Sequence, residues 1–252
     1  YRKTALRLKV YNPALCVGGP AFARSNSSFS SRFLDFIDQS RTPMDFCSWH
    51  LYTASISQMR RHARALRERL DGMGYSHTLS ILDEWDYVFP DKTTDKLFKP
   101  GTQELRAQAY TEMMQEQGAA FDAAFLTALQ TEPVDEAAFF CASPGNLYSM
   151  FDLYGRPQKN YYAFRQFAET AQLGTLTGIW VPEETAGLYV LRTESDFRTA
   201  LLLSNFSSRV AHFHPLSRPG MRQSVILTDA LHTYQVQEGA EELDIPPYSV
   251  IT

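Results

Sequence analysis

Ile81-Leu82-Asp83-Glu84-Trp85-Asp86-Tyr87 is an apolar run that ends in carboxylates set between large aromatic side chains. A glutamate at the C-terminal tip of a buried strand, walled by Trp and Tyr, suits covalent attack on a sugar ring. Aromatic faces stack on sugars while the carboxylate meets the anomeric carbon. Glu84 is therefore the first candidate for chemistry. The plainer use of such a residue is a solvated strand end or a salt-bridge partner, and what favours chemistry is its company. Met44-Asp45-Phe46-Cys47-Ser48-Trp49-His50-Leu51-Tyr52 is a second apolar run that ends in polar and aromatic groups. Leu15-Cys16-Val17-Gly18-Gly19-Pro20 is a third, and residues 136–145 make a fourth. In each run the functional groups collect at the same end.

A shared polarity of this kind requires parallel strands joined by crossovers, and the segments between the runs predict helices. Met59, Ala63, Leu66, Leu70 and Met73 alternate steps of four and three along 57–74, which makes one helical face, and Gly72 and Gly74 can end that helix. Residues 29–40 repeat the pattern through Phe29, Phe33, Phe36 and Ile37, and 103–130 predicts one long helix. Repeated βα units build an open doubly wound sheet or a (β/α)8 barrel. No Gly-rich phosphate fingerprint follows any of the runs, so the barrel is the expected architecture.

After Gly174 the pattern changes to short runs rich in Val, Ile, Leu, Tyr and Thr at 175–180, 187–193, 197–205, 209–214, 223–228, 231–236, 242–245 and 248–252. Regular short strands without helices between them predict an antiparallel β-sandwich. The expected division is thus a barrel-like domain over 1–174 and a sandwich over 175–252.

Arg60, Arg61, Arg64, Arg67 and Arg69 invite comparison with a nucleic-acid-binding helix. They lie off the apolar stripe, however, and Glu68 and Asp71 dilute them. The chain as a whole carries a net charge of −4 with a pI near 5.9. A solvated helix face is expected, with no nucleic-acid partner. Hydrophobic residues are 44% and charged residues 21%, and no apolar run is long enough to span a membrane, so a soluble protein is expected. Cys16, Cys47 and Cys141 each fall in a predicted strand, and three is an odd number. Buried free thiols are expected rather than a disulfide framework or a metal site, which mildly favours a cytoplasmic setting. The compartment stays open because a signal peptide would lie on a preceding segment. Asn26-Ser27-Ser28 and Asn205-Phe206-Ser207 fit the glycosylation triplet.

Val17-Gly18-Gly19-Pro20-Ala21, then Asp45 through Tyr52, then Ile81-Leu82-Asp83-Glu84-Trp85, in this order and spacing, resemble the fifth, sixth and seventh strands of the family 39 glycoside hydrolases. These are clan A barrels that include β-xylosidases and α-L-iduronidases. The resemblance continues through Phe151-Asp152-Leu153-Tyr154-Gly155-Arg156-Pro157 and Tyr161-Tyr162-Ala163-Phe164 into a sandwich that ends Ile245-Pro246-Pro247-Tyr248-Ser249-Val250. It implies that Glu84 is the nucleophile of a retaining mechanism and that His50 and Tyr52 bind substrate hydroxyls and orient it. Their alternate spacing puts the last two on one strand face, although both also suit ordinary packing. Trp85 would line the sugar site, or else sit in the core. Gly18 and Gly19 would allow a tight turn at the barrel mouth, or an ordinary turn.

The chain departs from the family pattern at Asp83 and Asp86, where Thr and Asn are usual. Strand alternation should send Asp83 to the face opposite Glu84, which would limit its effect on the nucleophile. A retaining enzyme also needs a second carboxylic acid roughly 5 Å from the first. In clan A that acid sits in an Asn-Glu pair, and no Asn-Glu occurs in these 252 residues. A complete barrel takes about 250 residues by itself, and only four strands precede the sandwich. The expectation is therefore the C-terminal half of a (β/α)8 barrel, strands five to eight, followed by a β-sandwich. This would be either a fragment or a half-barrel whose open sheet edges pair with a missing N-terminal half or with another copy. The function expected is retaining exo-glycoside hydrolysis of β-xylosidase type, with a carbohydrate substrate and neither cofactor nor metal. The acid/base residue would come from outside the chain. The alternative is a catalytically inert carbohydrate-binding half-barrel.

Overall fold

In the computed structural model, residues 1–88, 97, 99–145, 147–215, 222–239 and 242–252 are described, and they form two compact units. The first comprises Tyr1–Thr53, Gln58–Asp86 and Glu132–Phe140. In it α1 (Arg2–Tyr11), α2 (Ser28–Ser40) and α3 (Ile56–Gly72) alternate with β1 (Gly18–Phe22), β2 (Phe46–Thr53) and β3 (Leu79–Tyr87), and β4 (Glu136–Phe139) completes a sheet of order β1-β2-β3-β4. Strands β1 and β2 are parallel, as are β3 and β4. Strands β2 and β3 also run the same way. The Leu79 N–H donates to the Asp45 carbonyl at their starts, and Tyr52 meets Glu84 at their ends.

The predicted α3 stripe is the buried face, with Met59, Ala63, Leu66, Leu70 and Met73 all at or below 5% exposure. Gly74, at φ +81°, takes the left-handed turn that stops the helix. Ser27 caps α2 by accepting the Ser30 N–H. The arginines of α3 do more than face solvent. Arg60 Nε donates to Glu132 at 2.8 Å, and Arg64 grips the same carboxylate through Nε and Nη2. Arg67 donates to the carbonyls of Thr78 and Tyr75. A carboxylate as buried as Glu132 needs such donors, and a helical period alone does not reveal them.

At the N-terminal end of the sheet, acids tie neighbouring strands together. Asp45 accepts the Val17 N–H and faces Lys9 Nζ at 2.6 Å, and Asp135 accepts the Ser80 N–H at 2.7 Å. Cys16 is exposed, contrary to expectation, because β1 begins only at Gly18. Cys47 is buried and Cys141 half-buried.

The second unit comprises Ala54–Ser57, Tyr87–Thr131 and Cys141–Thr252. Where one long helix was expected, there are two, α4 (Gln103–Met114) and α5 (Glu116–Leu129). Gln115 between them is extended, and Gly118 comes so close to Met113 that a Cβ would lie 1.9 Å from its carbonyl oxygen. After α6 (Lys159–Gln172) come β5 (Thr175–Trp180), β6 (Gly187–Glu194), β7 (Thr199–Phe206), β8 (Ala211–Phe213), β9 (Ser224–Thr228), β10 (Gln235–Glu238), β11 (Leu243–Ile245) and β12 (Ser249–Ile251). They form a six-stranded sheet of order β10-β9-β12-β7-β6-β5 and a separate β11-β8 ribbon, with every neighbouring pair antiparallel.

Alternate residues of the large sheet feed two cores. Leu191, Leu202 and Val250 pack on Ala119 and Ala123 of α5 and Ala163 of α6. Leu203, Val225, Leu227 and Ile251 pack on the ribbon. Because α5 and α6 cover one face of the antiparallel sheet, the compact units do not divide at residue 174. Buried polar bonds fix the helix to the sheet. The Gln166 side chain donates to Ile226 O and accepts from the Thr228 hydroxyl, and Lys159 Nζ donates to Asp229 O at 2.6 Å.

Burial pushes the Asp45 carboxyl up, but its bonds from Lys9 and the Val17 N–H outweigh this and hold it below the usual carboxylate range. A depressed folded value stabilises above the unfolded pKa of roughly 3.9 and is lost as the pH falls through the lower folded value. Asp45→Asn is therefore expected to reduce the urea midpoint near neutrality while approaching the parent in strong acid. A constant difference across an acid titration would refute this linkage.

Candidate functional site

The C-terminal end of the parallel sheet gathers the predicted residues, and the means is an extra residue in β3. Leu82 pairs with Ala137 and Trp85 with Phe139, so three steps along β3 match two along β4. A bulge of this kind breaks the period of two and sets consecutive side chains on the same side. Leu82 and Trp85 are both buried, whereas Asp83 and Glu84 between them are both half-exposed. Both carboxylates consequently reach one imidazole: His50 Nε2 lies 3.5 Å from Asp83 Oδ1, and Nδ1 lies 3.6 Å from Glu84 Oε2. The expectation that Asp83 turns to the opposite face is thus corrected. The clue in the sequence was Leu82 and Trp85 three apart, which in a regular strand cannot share a face.

Strand β2 is regular, so His50 and Tyr52 share a face as predicted, and Ser48 lies on it too. The Tyr52 hydroxyl donates a hydrogen bond to Glu84 Oε1, which leaves Oε2 toward His50. His50, Asp83 and Glu84 have side-chain exposures of 20%, 31% and 29%, so they are framed by protein yet open to a ligand. Trp85 is placed differently from its neighbours. It is 1% exposed, with its ring edge-on to Phe139 at 5.2 Å, so it packs in the core beneath the acids. Asp86 is buried as well.

Strand β1 shows a similar irregularity. Gly19 pairs with Cys47 and Phe22 with Trp49, again three steps against two. A Cβ on Gly18 would lie 2.2 Å from the Phe46 carbonyl oxygen, so only glycine fits there. Ala21, at φ +60°, donates its N–H to Ser48 Oγ on the His50 face of β2. On the other face, burial and then the Asp83 charge push the Cys47 thiol up to about 12, which removes it as a nucleophile near neutral pH. Among the described residues no cluster of His, Cys, Asp and Glu has the geometry to hold a metal ion, and no helix is long and apolar enough to cross a membrane.

No family model matches the chain. Over 54 residues, 21% of this chain and 11% of the relative, it is 41% identical to a β-xylosidase of Geobacillus stearothermophilus. Solved structures similar over nearly its whole length include three glycosidases. A glucosidase from Croceicoccus marinus has a TM-score of 0.70 at 20% identity, with 100% of this chain and 62% of that one covered. A GH39 β-xylosidase from Caulobacter crescentus has a TM-score of 0.68 at 16% identity, with 100% and 59% covered. A β-porphyranase of glycoside hydrolase family 86 from Bacteroides plebeius has a TM-score of 0.62 at 14% identity, with 99% and 49% covered. The chain therefore spans less than two thirds of each of these proteins. What the likenesses show is the fold, a mixed α/β arrangement with a parallel and an antiparallel sheet like those of glycoside hydrolases.

Asp83 and Glu84 set two like charges close to each other beside one imidazole, so neutralising one of them relieves repulsion. Glu84→Gln is expected to hold the melting temperature within about 2 °C of the parent or to raise it. A fall of more than about 4 °C in thermal denaturation would instead make Glu84 part of the packing scaffold.

Proposed function

We propose that this chain carries the nucleophile half of a retaining exo-glycoside hydrolase site, with Glu84 as the nucleophile and a β-xyloside-like sugar as substrate. The observation that carries the proposal is the setting of Glu84. It stands in a bulge at the C-terminal end of a parallel strand, with Oε1 bonded by the Tyr52 hydroxyl and Oε2 facing His50. In parallel α/β architectures, chemistry gathers at this end of the strands.

In the proposed reaction a Glu84 oxygen attacks the anomeric carbon as the bond from that carbon to the leaving oxygen breaks. The leaving oxygen takes a proton from a second carboxylic acid. Water, deprotonated by that same residue, then releases the sugar from Glu84. Tyr52 holds the nucleophile by one oxygen and limits its rotation, and His50 is placed to bind a sugar hydroxyl beside it. Trp85 supports the bulge from below by packing and does not stack on the sugar.

The second acid is proposed to come from outside these 252 residues, as part of a (β/α)8 barrel of which β1–β4 form one half. The sequential order of the four strands and the greater length of the similar solved structures support this reading. Among the described residues strands β1 and β4 are the ends of the four-stranded sheet, and edges of parallel sheets are normally covered. The isolated 252-residue chain is thus expected to self-associate. A monodisperse monomer of 28.7 kDa by native mass would count against the half-barrel.

The decisive experiment on chemistry uses a mechanism-based 2-fluoro xyloside on the chain assembled with its missing half, followed by peptide mapping. Labelling at Glu84, abolished in Glu84→Gln, is expected. Turnover in His50→Ala is expected to fall about 10²-fold or more with folding retained. Sugar binding without labelling would favour a carbohydrate-binding protein, and labelling at another carboxylate would end the assignment of Glu84.

A further inference from the structure

Asp83 stands beside the proposed nucleophile where the resembled family usually has Thr, and the bulge in β3 brings it into the site. Its Oδ1 atom is shielded from solvent and has no hydrogen-bond partner, although the side chain as a whole is 31% exposed. His50 Nε2 lies 3.5 Å away, so a shift of roughly 0.5 Å would close a hydrogen bond between them. The same ring faces Glu84 Oε2 with its other nitrogen, at 3.6 Å.

We propose that Asp83 is a positioning residue that acts on Glu84 through His50. The inference rests on the glycosidase reading for its kinetic consequence alone, because the contact between Asp83 and His50 is independent of the reaction. A neutral imidazole carries one N–H and can serve only one of the two carboxylates, whereas the doubly protonated ring serves both. Asp83 therefore governs which ring nitrogen holds a proton and how the ring is turned toward Glu84 Oε2. Tyr52 already occupies Oε1, so the orientation of His50 decides how the remaining oxygen presents itself to the anomeric carbon. A purely structural acid would be expected to have its buried oxygen satisfied by its own surroundings, and Asp83 Oδ1 is not.

Asp83→Asn tests this, since the amide keeps the shape but loses the charge, and Asp83→Glu serves as the carboxylate-retaining control. Two readouts are taken on the assembled protein. One is the rate of Glu84 labelling and turnover. The other is the NMR shift of the His50 ring nitrogens, which needs no activity. Asp83→Asn is expected to lower turnover about 10- to 100-fold with KM nearly unchanged and to move the Nε2 resonance, while Asp83→Glu retains more of both. An Nε2 resonance unmoved by Asp83→Asn overturns the proposal whatever the kinetics. If the parent is never labelled at Glu84 and yet the resonance moves, the glycosidase reading fails and the link between Asp83 and His50 stands. Equal losses in Asn and Glu variants, with lowered thermal stability, would assign Asp83 to the scaffold instead.

Discussion

The arrangement at the C-terminal end of the parallel sheet depends on one extra residue in β3. With Leu82 against Ala137 and Trp85 against Phe139, the strand keeps two large apolar side chains in the core while exposing two consecutive acids between them. Without it, a period of two would place Glu84 and Asp83 on opposite faces. His50 could then meet only one of them. The bulge is held from below by the Trp85 ring on Phe139 and by the Phe140 N–H, which donates to the Trp85 carbonyl. The core packing of Trp85 and the exposure of Glu84 are therefore two results of a single local geometry.

That geometry explains what could be read from the sequence and what could not. The α3 stripe was legible because a step of three and four has only one helical interpretation, and the eight short runs after Gly174 were legible because turn residues separate them. His50 and Tyr52 on one face followed directly from the regularity of β2. Asp83 was misplaced because alternation assumes a strand without bulges. The break at Gln115 was missed because composition favours helix throughout, whereas the close approach of Gly118 to Met113, which leaves no room for a Cβ, exists only in the fold. The boundary expected at 174 followed a change in pattern. The compact units follow burial instead, and Ala119, Ala123 and Ala163 belong with the strands they cover.

The antiparallel sheet packs a different partner on each of its faces. Strands that alternate between two apolar faces predict a partner on each side, and a second sheet is the usual inference. Here one partner is the short β8–β11 ribbon and the other is a pair of helices brought close by alanines. Small residues on α5 and α6 permit close approach to the sheet. Gln166, Thr228 and Lys159 then satisfy polar groups that this approach removes from water.

The two ends of the parallel sheet use the same residue types in opposite ways. At the N-terminal end Asp45 accepts a backbone N–H and pairs with Lys9, and Asp135 accepts the Ser80 N–H. Glu132, buried elsewhere in the same unit, is gripped by two arginines. Acids satisfied by their own chain have little left to offer a ligand, and they hold strands and helices in place. At the C-terminal end Glu84 has one firm donor in Tyr52, Asp83 Oδ1 has none, and His50 stands between them at distances too long for full hydrogen bonds. An unsatisfied buried acceptor of this kind costs stability, and active sites are one place where such a cost persists. On the proposed glycosidase reading, the hydroxyls of a bound sugar would supply the donors that Asp83 Oδ1 and Glu84 Oε2 lack.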